Sequence, residues 1–266
     1  MMQKTNNLGM KSGKVFIPFT VLGYPDKEIT LEIIKTMVES GSDMLELGFP
    51  FSDPIADGQI LQDANTKALK KGINTDTCFG ILSEIRRFTK LPIGLLLYYN
   101  LVYQYGIGRF YEKCSNLRID TILIADVPLE ESDDIIKAAE SYGIKTVFIV
   151  SELTDDERFN LIKTKTTGFI YIVSKIGVTG TKNDIPDVTR EILQKLRKRT
   201  NLPLFVGFGI SNPEHVRKVC EAGADGAICG SAIIKLINAN IDDKQLMISK
   251  LGDFIKEMKR ATENGK

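Results

Sequence analysis

The segment LPLFVGFGIS (202–211) decides how this chain is built. It reads as an apolar strand that breaks into a turn at Gly207 and Gly209. CGSAIIKLI (229–237) repeats the pattern and leads into a short helix beginning near Ser231. Glycines there let backbone N–H groups approach a ligand, and bare amides at a helix N-terminus attract a phosphate. A tight turn that needs only glycine's backbone freedom is the alternative reading. In a (β/α)8 barrel the loops after the last two strands often form such a site. A doubly wound sheet carries its glycine fingerprint after the first strand, and nothing like GxGxxG follows KVFIPFTVLG (14–23).

Outward from that segment, β-rich runs alternate with amphipathic stretches from end to end. The other strands are expected at 14–23, 44–50, 92–99, 121–127, 145–151, 168–174 and 226–231. Their Ile, Val, Leu and Phe content suits strands buried on both faces. Helices are expected at 26–41, with Leu31, Ile34 and Met37 on one face, and at 133–143, 212–223 and 243–261. Gly41, Gly143 and Gly223 sit where helices end, and Asn212 followed by Pro213 is a helix start. About eight strand-then-helix repeats without a linker close most simply into an α/β fold of the TIM-barrel type, one domain over residues 1–266.

Composition excludes several functions. Thirty-five Lys and Arg against 34 Asp and Glu leave no global field for nucleic acid or an anionic membrane. The densest basic run, LQKLRKRT (193–200), is expected as a solvated helix end rather than a nucleic-acid patch. Cys78, Cys114, Cys220 and Cys229 form no CxxC pair, and with the single His215 they make no zinc site. Free thiols fit a reducing cytosol. The polar start MMQKTNNLGMKSGK is not expected to be a signal peptide, and PIGLLLYYNLVYQYG (92–106) is too short and broken to span a bilayer.

Sites in such a barrel form at the carboxyl ends of the strands. The second strand opens there into LELGFPFSDPIADG (45–58), which carries Glu46 inside an apolar run and Asp53 and Asp57 on the loop beyond it. Side chains alternate along a strand, so Met44, Glu46 and Gly48 face the interior while Leu45, Leu47 and Phe49 pack outward. Burial should raise the Glu46 pKa toward neutrality, as a proton carrier requires; a buried structural ion pair is the other reading. Asp57, alone, could be a capping or solvated carboxylate. The pair is more telling, because unequal surroundings let one acid shuttle protons while the other stays charged. Further strand ends offer Tyr98, Asn100, Asp126 and Tyr171, and GVTGT (177–181) has the glycines of a closing lid or of an ordinary loop.

LELGFPFSDPIADG, PIGLLLYYNLV, ADVPLEES, SKIGVTGT, VGFGIS and GSAIIK occur in an order and spacing that resemble the tryptophan synthase α-subunit family over nearly the whole chain. The first motif is long and specific; the phosphate motifs are shared with other barrels. The resemblance implies a retro-aldol cleavage of indole-3-glycerol phosphate to indole and glyceraldehyde 3-phosphate. It implies Glu46 as the proton-transferring acid/base, Asp57 as the partner of the indole N–H, and Tyr171 as a neighbouring active-site tyrosine. Phe19, Leu96 and Leu123 match walls for a flat ring, or plain core. Thr179 matches a lid threonine that meets Asp57, and Gly180, Gly209, Gly230 and Ser231 match phosphate positions. The resemblance further implies no cofactor in this chain and a pyridoxal-phosphate β subunit as partner in an α2β2 heterotetramer, facing the Phe51–Pro54 loop and the Asn100 region. Gln59, Lys175 and Tyr24 depart from residues common in the family, proline, arginine and aspartate respectively.

Two rival readings stand beside it. Lys175, just beyond the sixth strand, could form a Schiff base as an aldolase lysine does. Alternatively the chain could regulate a β subunit without efficient turnover of its own.

Overall fold

The computed structural model describes Leu8 and residues 13–173 and 187–263. Its strands are β1 (Val15–Val21), β2 (Leu45–Gly48), β3 (Ile93–Leu97), β4 (Thr121–Ile124), β5 (Lys145–Thr146), β6 (Phe148–Val150), β7 (Ile170–Val173), β8 (Leu204–Gly207) and β9 (Gly226–Cys229). All pair in parallel, in the order β5-β4-β3-β2-β1-β9-β8-β7-β6. β5 pairs β4, and β6 pairs β7. The two are one stave interrupted at Val147, whose N–H bonds Ile122 O at 3.2 Å. Through that residue the ring is completed, and eight staves result.

Every expected strand is present but shorter at one or both ends than its apolar run. The excess residues turn the chain into the loops, and Tyr98, for instance, is already the cap of a helix. The helices are α1 (Lys27–Glu39), α2 (Gln59–Lys70), α3 (Thr75–Phe88), α4 (Tyr99–Tyr105), α5 (Ile107–Asn116), α6 (Asp133–Ser141), α7 (Asp156–Lys165), α8 (Asp187–Arg197), α9 (Pro213–Glu221), α10 (Ser231–Ala239) and α11 (Lys244–Glu263).

Local chemistry sets their ends. Asp26 caps α1 by accepting from Ile29 N at 2.8 Å, and Asn212 caps α9 by accepting from His215 N at 2.9 Å, with Pro213 in the first turn. Gly41, Gly143 and Gly223 follow helices with φ of +101°, +68° and +109°, the left-handed conformation that a side chain resists. On α1 Ile34 and Met37 are buried as expected, together with Thr30 and Ile33; Leu31 is only half-buried, so the inward face widens toward the Thr30 and Ile33 side. The basic run 193–200 is engaged in ion pairs: Lys195 and Arg199 with Asp156, Arg197 with Asp225. That supports the solvated helix end over a nucleic-acid surface.

The amino ends of the staves carry a repeated device. Asp43, Asp120 and Asp225 stand just before β2, β4 and β9. Each uses Oδ2 to accept the N–H of a residue at the start of the neighbouring strand: Phe16 at 2.8 Å, Ile93 at 2.8 Å and Leu204 at 2.9 Å. Each also meets a cation: Lys259 at 2.9 Å, Arg86 at 3.3 Å, and Arg197. Strand starts are thereby tied together and to α11, α3 and α8. No helix among the described residues is long and apolar enough to cross a membrane.

Candidate active site

At the opposite, carboxyl ends of the staves lies a cavity of about 420 Å³. Glu46 enters it from β2. Its side chain shares the inner face with Phe19 of β1 and Gly94 of β3, its register partners. Glu46 is 3% exposed, and its Oε2 is buried with no hydrogen-bond partner among the described residues. Burial, with the nearby Asp57 charge adding to it, pushes its pKa up to about 8.

Asp57 reaches the cavity from the loop before α2. Asn65, one side of α2 and 3% exposed, donates to Asp57 Oδ2 at 3.3 Å and to Leu61 O at 2.8 Å, and accepts from Phe51 N at 3.0 Å. Tyr98 hydrogen-bonds Asp57, accepts from Ala56 N at 3.2 Å, and stacks on Phe51 with ring centroids 5.0 Å apart. Burial raises the Asp57 pKa to about 6, while the Tyr98 and Asn65 bonds hold it below what burial alone would give. Near neutral pH, therefore, Glu46 keeps its proton and Asp57 is charged. One acid can donate while the other stabilises a cation.

Between the two ends lies an apolar wall. Phe19 fits there because its neighbours lack side chains: a Cβ on Gly48 would lie 2.9 Å from Phe19 Cζ, and one on Gly230 2.9 Å from Phe19 Cδ1. Tyr171 of β7 lies across Gly207, where a Cβ would strike its hydroxyl. Burial holds the Tyr171 hydroxyl well above the usual phenol range, and the Glu46 and Asp57 charges add to that, so it stays protonated beside the acid pair.

The far end is made by the turns after β8 and β9. Phe208 (φ 64°) and Gly209 (φ 77°) both take the left-handed conformation, which at Phe208 costs about 1–2 kcal/mol. His215, 3% exposed on α9, braces this turn, with Nδ1 at 3.0 Å from Gly209 O and 3.4 Å from Ser211 Oγ. Gly230 caps α10 without a side chain, so no cap oxygen covers the N–H groups of its first turn. Gly230, Ser231 and Ala232 line the cavity, while Ile233 N–H is already bonded to Gly230 O at 2.9 Å.

Glu46, Asp57, Tyr171, Phe19, Leu96, Gly209, Gly230 and Ser231 thus line one cavity. Leu123 does not: it is 2% exposed in the barrel interior and absent from the lining, so its role is core packing. Asp126 is likewise elsewhere, accepting Tyr99 N at 2.7 Å, and Asn100 is exposed on the rim. Thr179, Gly180 and Lys175, with the whole 177–181 segment, lie outside the described residues. Gln59 opens α2 and donates to Asp63 at 2.8 Å; Tyr24 is buried and bonds Asn238 of α10. Lining residues that the sequence reading missed include Leu61, Phe208, His215, Ile228 and Lys235. Among the described residues no three His, Cys, Asp or Glu are grouped to hold a metal.

A (β/α)8 barrel that gathers a buried acid, a loop acid and uncapped helix amides at the carboxyl ends of its strands belongs to the class of barrel enzymes acting on small phosphorylated molecules. A profile described as "Tryptophan synthase alpha chain" matches residues 5–263. The chain belongs to the tryptophan synthase α-chain family. It is 46% identical over 253 residues to the α chain of Methanothermobacter thermautotrophicus, covering 95% of this chain and 94% of that one. It is 46% identical over 259 residues to that of Francisella tularensis, covering 97% and 96%. The tryptophan synthase complex of Pyrococcus furiosus superposes with a TM-score of 0.84 at 34% identity, covering 92% of this chain and 98% of the matched chain. The α chain of Legionella pneumophila superposes with a TM-score of 0.85 at 31% identity, covering 95% and 92%.

Proposed function

We propose that this chain cleaves indole-3-glycerol phosphate to indole and glyceraldehyde 3-phosphate, with Glu46 and Asp57 as its acid pair. The indole ring lies against Phe19 and Leu96, and the phosphate takes the turns at Gly209, Gly230 and Ser231. Indole carbon leaves only after C3 is protonated. Glu46, neutral at rest, supplies that proton, and positive charge appears on the ring nitrogen. Asp57, charged at neutral pH, accepts the ring N–H and stabilises that charge. Glu46, now a carboxylate, takes the proton of the glycerol hydroxyl. The C–C bond breaks, its electron pair returns to the indole ring, and the aldehyde forms. The proton count closes on Glu46, and these steps draw on no cofactor of this chain. Thr179 and Gly180 are the lid and phosphate residues of the same reading.

The observation that carries the reading is the buried, unpartnered Oε2 of Glu46, sharing a cavity with Asp57 and the late glycine turns. An indole-release assay on indole-3-glycerol phosphate tests it. Wild type releases indole and folded Glu46→Gln does not; a variant turning over like wild type would end the assignment.

The partner is a β subunit carrying pyridoxal phosphate, which consumes the indole in an α2β2 assembly. A Pyrococcus furiosus relative, 36% identical with a TM-score of 0.86, comes from work on mutual activation of the a2b2 complex. On this chain the loop before α2 and the helix α4 share the rim of the mouth, and Ile55 and Tyr103 there are 79% and 58% exposed. A cytosolic location fits four cysteines that are free and buried.

A further inference from the structure

We infer that Lys235 recognises the phosphate of the substrate and sets the specificity of this site for a phosphorylated ligand. The inference rests on the reaction proposed above and assigns a residue that the sequence motifs did not. Its basis is the charge distribution of the cavity. Among the described residues that line it, Lys235 is the single Lys or Arg, against the two acids Glu46 and Asp57. Asp57 is charged near neutral pH, so a phosphate entering the site meets a negative charge at the other end. Helix amides and dipole carry only partial positive charge. A full cation at the glycine end offsets the repulsion and orients the ligand.

The place of Lys235 on α10 suits that task. Ile233, Ile234 and Ile237 turn inward and fix the helix on the barrel, leaving Lys235 on the exposed side. Lys235 stands four residues after Ser231, hence on the same face one turn on. Long side chains on a helix lean back toward its N-terminus. Its stem therefore runs toward the uncapped turn at Gly230 and Ser231. Among the described residues no carboxylate pairs with Lys235, whereas Lys244 and Lys259 pair with Glu32 and Asp43 at 2.9 Å each. Lys235 is thus uncommitted to any described acid and is one of the residues lining the cavity.

The test compares wild type, Lys235→Met and Lys235→Arg on indole-3-glycerol phosphate, with inorganic phosphate and indole as competitive inhibitors. In the Met variant KM is expected to rise about fivefold to tenfold with kcat within about twofold, the size of one exposed charge pair strengthened by enclosure. The inhibition constant of inorganic phosphate should rise by the same factor and that of indole should not move. Arginine should restore both, and the salt dependence of KM should flatten in the Met variant. Unchanged KM and phosphate inhibition in Lys235→Met would overturn the inference. So would an equal loss for indole and phosphate, the mark of general damage to the pocket. Phosphorus NMR titration of inorganic phosphate needs no turnover and separates the two readings. Weakened phosphate binding in the Met variant supports Lys235 even if wild type releases no indole, a result that would instead refute the proposed reaction.

Discussion

The two ends of the barrel treat their carboxylates in opposite ways. At the amino ends Asp43, Asp120 and Asp225 each hold a neighbouring strand N–H and a Lys or Arg. At the carboxyl ends, among the described residues, Glu46 and Asp57 have no cation as a hydrogen-bonded partner, and one oxygen of Glu46 has no hydrogen-bond partner. The satisfied acids lock strand to strand. The unsatisfied ones sit where burial raises their pKa, at a cost in stability that a purely structural residue would not need to carry. Pairing, rather than the presence of a carboxylate, separates scaffold from site.

The sharpest way to break this contrast is Glu46→Gln. Turnover should fall about 10³-fold or more, the scale of a lost proton carrier, with the circular-dichroism spectrum unchanged. Asp57→Asn should follow with a loss of about 10²-fold to 10³-fold in kcat, because the ring cation loses its counter-charge; near wild-type kcat would remove Asp57 from the mechanism. The pH dependence comes next. The rate should rise as Asp57 ionises near about 6 and fall as Glu46 loses its proton near about 8, giving a bell in kcat/KM. Stability carries the same signature. Glu46 titrates near its ordinary 4.5 when unfolded and near about 8 when folded, so the folded chain holds the extra proton between those values. Stability is therefore full below the lower value and declines as pH rises toward the upper one, by a few kcal/mol. Denaturant melts of Glu46→Gln should lack most of that decline. The smallest effect is expected at the other end of the barrel. Asp120→Ala should cost about 1–2 kcal/mol, lowering the melting temperature while leaving kcat and KM alone. A loss of activity there, with stability intact, would erase the distinction between the two faces.

Much of this was legible in the sequence, for reasons that differ by region. Eight apolar runs separated by helix caps define the staves, since strands buried on both faces need near-continuous apolar residues. The split at Val147 was not legible: KTVFIVS reads as one strand, and only the handover of pairing from β4 to β7 divides it. Glu46 stood out because a carboxylate in an apolar strand demands an explanation. Its neighbours on the wall did not. Leu96 and Leu123 look alike in sequence and share a register, yet only Leu96 reaches the cavity. His215 comes from the first turn of α9 and Lys235 from the second turn of α10, helices whose docking no local pattern reveals. Asn65 was within reach: it lies on α2 eight residues after Asp57, where a helical count brings a side chain back to the loop.

Phe19 has one further consequence. A methyl group at position 48, on β2, or at position 230, just past β9, would press on the same ring. The three residues therefore form a closed set in which no member drifts alone. A bulkier residue at either glycine would demand a smaller one at position 19, and the wall between the acid end and the glycine end would be recut. Attempts to redesign this pocket for other ring systems must begin by changing all three together.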